Sequence, residues 1–178
     1  MGSAGIYAKS LYDLGVEEGL CDQLLTEMET VRDIFASEPD FVMLLATPSL
    51  SKEERAGMLD VCLRGKVQPY LLNFIKILTE RNLIRSYSDC CAVFRDLYNE
   101  DHGILPVDVV SAVPLDEEQR AKLGEKLCRM TGMKVELNCT VDPACLGGIR
   151  VDYKNQRIDG TVANRLSSVS ELLKSTVF

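Results

Sequence analysis

Lys134-Val135-Glu136-Leu137-Asn138-Cys139-Thr140-Val141 is the most regular stretch in the chain. Val135, Leu137, Cys139 and Val141 alternate with Lys134, Glu136, Asn138 and Thr140. A period of two places one set on a buried face and the other toward solvent, so the segment reads as a half-buried β-strand. Upstream, Asp116-x-x-Gln119 has the spacing of a capping box, and Leu123, Leu127 and Met130 follow at helical spacing until Gly132 closes the helix. Further upstream, Val107, Val109 and Ser111 alternate with Asp108, Val110 and Ala112, which predicts a strand with apolar residues on both faces. Downstream, Asp142-Pro143 turns the chain and Gly147-Gly148 leads into the alternating Ile149, Val151 and Tyr153. Lys154-Asn155-Gln156 turns again into a short Arg157-Ile158-Asp159. Val162, Leu166, Val169, Leu172 and Leu173 then mark a last helix. The order is βαββα, a small α/β module.

The preceding hundred residues carry a different period. Tyr7, Leu11 and Leu14 share a helical face that is expected to end near Gly15. Leu20, Leu24, Met28, Val31 and Phe35 form a second helix. Ser37 is the expected cap of a third, with Pro39 in its first turn and Asp40 favoured by the helix dipole. Phe41, Leu44 and Leu45 continue it to Thr47-Pro48. Ser51-x-x-Glu54 is a second capping box, with Met58, Leu59 and Cys62 as the apolar positions behind it. Pro69 opens a fifth helix with Leu71, Phe74, Ile75 and Leu78 inward, and Asn82 suits a left-handed end. Tyr87, Cys91, Phe94, Leu97 and Tyr98 make the sixth, closed by Gly103. The fold class is therefore α+β: an N-terminal six-helix bundle over 1–104, then the α/β domain over 105–178.

Composition and charge narrow the function. The chain has 178 residues, 46% hydrophobic and 26% charged, an ordinary globular balance. No run of 18 apolar residues predicts a membrane span, and no basic region before an apolar run predicts a secretory signal. Twenty Lys and Arg face 27 Asp and Glu, a net charge of −7. All of the excess falls in 1–105, with 10 basic and 17 acidic residues, whereas 106–178 holds 10 of each. Phosphate neutralisation needs a basic surface, so nucleic acid is a poor partner for either half.

The sequence presents no paired catalytic constellation. Its one histidine, His102, lies at a predicted helix end, where the dipole favours it. Seven cysteines show no C-x-x-C spacing and leave a Cys/His metal site short of ligands, so no metal and no cofactor are expected. The thiols read as reduced, small hydrophobes. Cys90 and Cys91 point about 100° apart on a helix, so one should be buried and one at an edge. Gly65-Lys66 lacks the glycine and the Ser or Thr of a phosphate loop, and Gly147-Gly148 precedes a strand rather than a helix. A non-enzymatic interaction protein is the natural reading. A small α/β nucleic-acid-binding module and a thiol-dependent protein are its alternatives.

Particular stretches carry a resemblance. Tyr7-Ala8-Lys9-Ser10-Leu11-Tyr12, Asn73-Phe74-Ile75-Lys76-Ile77-Leu78-Thr79-Glu80-Arg81-Asn82 and Val110-Ser111-Ala112-Val113-Pro114-Leu115 are joined by Val141-Asp142-Pro143-Ala144-Cys145-Leu146-Gly147-Gly148-Ile149-Arg150-Val151, then Ile158-Asp159-Gly160-Thr161-Val162 and Arg165-Leu166. In order and spacing these resemble the delta subunit family of F-type ATP synthase, related to the mitochondrial oligomycin-sensitivity-conferring protein. The resemblance covers nearly the whole chain.

The resemblance implies a stator component without bond chemistry. The helical domain would sit on the catalytic head and receive N-terminal segments of the alpha subunits in grooves between its helices, notably the first and fifth. Tyr7, Ser10, Leu11, Asn73 and Ile77 are the expected groove residues. The C-terminal domain would contact the b subunits of the peripheral stalk, with Leu166, Val169 and Leu173 as candidate contacts. The expected location is the cytoplasmic face of a bacterial cell membrane, reached only through the complex.

Overall fold

The computed structural model describes residues 3–47, 50–153, 156–162 and 164. Among them are seven α-helices and a four-stranded mixed sheet, an α+β fold. The chain divides into two compact units, Met1–Tyr98 and Asn99–Phe178. The division falls inside the sixth helix, ahead of the 104/105 seam expected from sequence.

The first unit is built from α1 (Ser3–Glu18), α2 (Cys21–Ser37), α3 (Pro39–Leu45), α4 (Lys52–Leu63), α5 (Pro69–Glu80), a 3-10 turn at Ile84–Ser86 and the start of α6 (Tyr87–Asp101). Its core runs through Leu24, Met28, Leu45, Leu59, Leu71, Ile75, Leu78 and Phe94, all fully buried. Tyr12 meets Phe94 edge to face at 5.2 Å, and Phe35 meets Tyr87 in the same way at 5.1 Å. Polar ties join the same helices. Tyr87 donates its hydroxyl to the Met28 carbonyl, and Lys76 of α5 pairs with Asp60 of α4 at 2.7 Å.

Several sequence expectations need correction here. α1 continues through Gly15 to Glu18. Gly15 is a contact point rather than a stop: a Cβ there would lie 3.1 Å from Leu24 Cδ1 and 3.2 Å from Cys21 Sγ. Ser37 does not cap α3. It ends α2, where its hydroxyl donates to the Ile34 carbonyl, and Glu38 takes the N-cap position without a side-chain bond. Cys62 is exposed, and the apolar stripe of α4 closes on Leu63 instead. Leu44 is turned outward, 40% exposed. Cys90 and Cys91 are both buried in the helical core, with Cys91 Sγ 3.7 Å from the Met28 carbonyl oxygen. The Ser51–Glu54 capping box forms in both directions, and Asn82 is left-handed at φ +56°.

The second unit holds β1 (Ile104–Ser111), α7 (Glu117–Thr131), β2 (Lys134–Val141), β3 (Ile149–Tyr153) and β4 (Gln156–Asp159), in the order β2-β1-β3-β4. β1 and β2 run parallel across the α7 crossover, and β1–β3 and β3–β4 are antiparallel. Register places Cys139, Val109, Val151 and Ile158 in one row across the sheet. Asn138, Asp108, Asp152 and Arg157 form the adjacent row on the other face. There the Asn138 amide donates to Asp108 and Arg157 Nε to Asp152, so two facing carboxylates are each given a donor.

β1 differs from its two-faced expectation. Leu105, Val107, Val109 and Ser111 are buried while Pro106 and Asp108 are exposed, so one face carries the core. The Asp116–Gln119 box forms as expected and Gly132 closes α7 at φ +69°, but Met130 is 60% exposed. Gln156 belongs to a fourth strand rather than to a turn, because its residue-for-residue pairing with Tyr153 continues the β3 ladder. The described order is therefore βαβββ. Most of the expected last helix lies outside the described residues.

Candidate functional site

α1 carries Tyr7, Ser10, Leu11 and Leu14, and α5 carries Tyr70, Asn73, Phe74 and Ile77. Both sets follow the same spacing, i, i+3, i+4 and i+7, which gathers four side chains on one side of a helix. The eight residues line one groove of about 270 Å3 between the two helices. Leu11 and Phe74, each 5% exposed, form its floor, and Ile77, at 44%, stands on its rim. Ser10 donates its hydroxyl to the Ile6 carbonyl at 3.1 Å, which leaves its oxygen lone pairs toward solvent. None of the eight is charged. The groove can therefore take an apolar row and a few neutral hydrogen bonds, and its lining holds no carboxylate, histidine or cysteine.

All five groove residues expected from sequence meet here: Tyr7, Ser10, Leu11, Asn73 and Ile77. Leu14, Tyr70 and Phe74 complete the lining. From sequence Phe74 is an inward position of α5 and Leu14 shares the helical face of Tyr7 and Leu11, while Tyr70 carries no expectation. The signal that finds them is the matched spacing of the two rows. Leu166, Val169 and Leu173 lie outside the described residues. Two larger clefts flank α3, of about 440 and 520 Å3, and share Phe35.

The two adjacent thiols of α6 are set against catalysis. Burial pushes Cys90 up to about 11 and Cys91 up to about 12, the opposite of the depressed value a nucleophilic cysteine needs. Burial raises the Tyr87 phenol as well. No described helix is long and apolar enough to cross a membrane.

The family described as ATP synthase delta (OSCP) subunit matches residues 4–173. The chain belongs to that family. The ATP synthase subunit delta of Clostridioides difficile (strain 630) is 31% identical over 175 residues, covering 98% of this chain and 97% of the relative. That of Symbiobacterium thermophilum is 32% identical over 169 residues, covering 95% and 91%. A chain of the Toxoplasma gondii mitochondrial ATP synthase hexamer shares the fold, with a TM-score of 0.74 at 17% identity, over 97% of this chain and 98% of that one. As a member of the delta (OSCP) family the protein is a non-catalytic component of the peripheral stalk of F-type ATP synthase, and its partners are other subunits of that complex. The groove between α1 and α5 is thus a candidate protein-docking surface of a delta subunit.

Proposed function

We propose that the N-terminal part, residues 1–104 as a six-helix bundle, docks on the catalytic head by accepting the N-terminal helix of an alpha subunit between α1 and α5. The observation that carries this reading is the pair of matched rows, Tyr7-Ser10-Leu11-Leu14 and Tyr70-Asn73-Phe74-Ile77, facing one groove. An amphipathic helix laid in a groove buries its own i, i+3, i+4 and i+7 positions, so the two rows offer it a complementary spacing on both sides. Leu11 and Phe74 supply apolar contact, while Asn73 and the two tyrosines supply hydrogen bonds that fix the register.

Residues 105–178, the α/β domain, then engage the b subunits, with Leu166, Val169 and Leu173 as contacts. A linker held at both ends prevents the head from turning with the rotor. Torque is thereby spent at the catalytic sites, and ion flux stays coupled to ATP synthesis. The bacterial relatives favour a place on the cytoplasmic face of the cell membrane, held there by the complex.

Ile77→Asp tests the groove. Ile77 is 44% exposed, so the change leaves the fold within about 1 kcal/mol. It puts a carboxylate against an apolar ligand, and affinity for a synthetic alpha-subunit N-terminal peptide should fall at least about tenfold in titration calorimetry. Wild-type affinity in a folded Ile77→Asp protein would sink the groove reading.

A further inference from the structure

Arg55, on the inner side of α4, is 5% exposed. Its Nη1 donates to the Leu45 carbonyl at 3.2 Å, to the Thr79 carbonyl at 3.2 Å and to Asn82 Oδ1 at 3.0 Å. No ion pair with a carboxylate is made by Arg55 among the described residues, and its buried Nε has no hydrogen-bond partner there. A guanidinium this deep is expensive unless something negative faces it. Here the facing groups are helix C-terminal carbonyls. Leu45 is the last residue of α3, and Thr79 belongs to the last turn of α5. Those ends carry the negative pole of each helix, and the Thr79 carbonyl accepts from both Arg55 and the Asn82 backbone N–H. One side chain of α4 therefore fastens the ends of α3 and α5 and the left-handed residue that stops α5.

α5 is the helix that supplies Tyr70, Asn73, Phe74 and Ile77 to the groove. α4 grips it on a different flank, by Asp60–Lys76 in the middle and by Arg55–Thr79 and Arg55–Asn82 at the end. Lys76 and Ile77 are adjacent, and Thr79 is two residues beyond. Fixing Lys76 and Thr79 fixes the rotation of α5 about its axis, because neighbouring residues of a helix are about 100° apart. We propose that Arg55 is a positioning residue for the docking groove: without lining it, Arg55 holds α5 at the angle that presents Asn73 and Ile77 to a ligand. This inference rests on the docking reading above.

The test uses the full-length protein with three substitutions. Arg55→Met removes the donors at similar length. Arg55→Lys keeps the charge on a side chain one bond shorter and without the planar fork. Asn82→Gly removes one acceptor and suits the left-handed backbone. Titration with the alpha-subunit N-terminal peptide is run at a temperature where circular dichroism shows each variant folded. Affinity should fall about tenfold for Arg55→Met, less for Arg55→Lys and least for Asn82→Gly. Amide exchange should accelerate over Lys76 to Arg81 while α2 amides keep their wild-type rates.

A folded Arg55→Met with wild-type affinity, or with exchange raised equally in α2 and α5, overturns the proposal and leaves Arg55 a general stabiliser. If Arg55→Met does not fold, Asn82→Gly decides by the same two readouts. Ile77→Asp serves as the control. Should it bind the peptide normally, the docking reading has failed, and selective exchange over Lys76 to Arg81 still decides whether Arg55 positions α5.

Discussion

The two units hold themselves together by different means. Among the described residues the helical unit gathers twenty buried apolar side chains into one cluster, and the α/β unit gathers five. The second unit compensates with a backbone ladder, eight registered pairs between β1 and β2 and five between β1 and β3. Side-chain packing is tolerant of which residue meets which, so a helical unit can leave grooves between its elements and remain folded. A ladder is intolerant of register, since a shift by one residue turns every side chain to the opposite face. The difference explains how the helical unit can carry a groove between α1 and α5, whereas the α/β unit concentrates its constraints in register and turn positions.

The largest expected effect is in the helical core. Phe94 is fully buried and stacks edge to face on Tyr12. Phe94→Ala should cost about 4 kcal/mol through lost contacts and the cavity left behind. Amide exchange should rise across α1, α2, α5 and α6, with the β1–β2 amides unchanged. A uniform rise over both units would break the comparison by showing one cooperative structure.

Gly148 is the counterpart in the α/β unit. It has φ +79°, and a Cβ built on it would lie 2.4 Å from the Gly160 carbonyl oxygen. Gly148→Ala therefore adds left-handed strain to a backbone collision, for a cost of about 3 kcal/mol. Exchange should rise in β1, β3 and β4 and stay at its wild-type rate in α2. Wild-type stability in this variant would mean that the two segments can separate, and that the ladder tolerates more than its register suggests.

Much of this was legible in the sequence wherever the cause is local. The two capping boxes, the left-handed Asn82 and the alternation of β2 each depend on residues within a few positions of one another. Long-range causes were not legible. Gly15 lies inside α1, where Cys21 and Leu24 come close enough to crowd any larger side chain. Arg55 sits in the polar run Lys52-Glu53-Glu54-Arg55 and gives no sign that it turns inward to meet two helix ends. β4 is only four residues long and is defined by its pairing with β3 rather than by its own composition. The groove lies between these cases. Its five expected residues came from family resemblance, and periodicity alone could not say that the row on α1 would face the row on α5.

Acidification offers the smallest and most discriminating comparison. In the helical unit the bond from Lys76 holds the Asp60 carboxyl below its ordinary value, and the Ser51 backbone and hydroxyl do the same for Glu54. In the α/β unit the Thr161 hydroxyl and backbone amide lower Asp159. A carboxyl lowered in the folded state adds stability that is complete above its unfolded value, about pH 4, and is lost as the pH falls through the folded value. Both units should therefore weaken as the pH falls below about 4, and Asp60→Asn and Asp159→Asn should each flatten that loss in their own unit only. Salt separates the two. At about 1 M the Debye length shrinks to about 3 Å, so the exposed side of the Asp60–Lys76 pair is screened. The bonds from Thr161 to Asp159 come from neutral donors and persist. The acid limb of the helical unit should shrink in high salt while that of the α/β unit is kept, as read by amide exchange over α4 and β4. Equal salt sensitivity in both would mean that Asp159 answers chiefly to Arg150 and Arg157 rather than to its own turn.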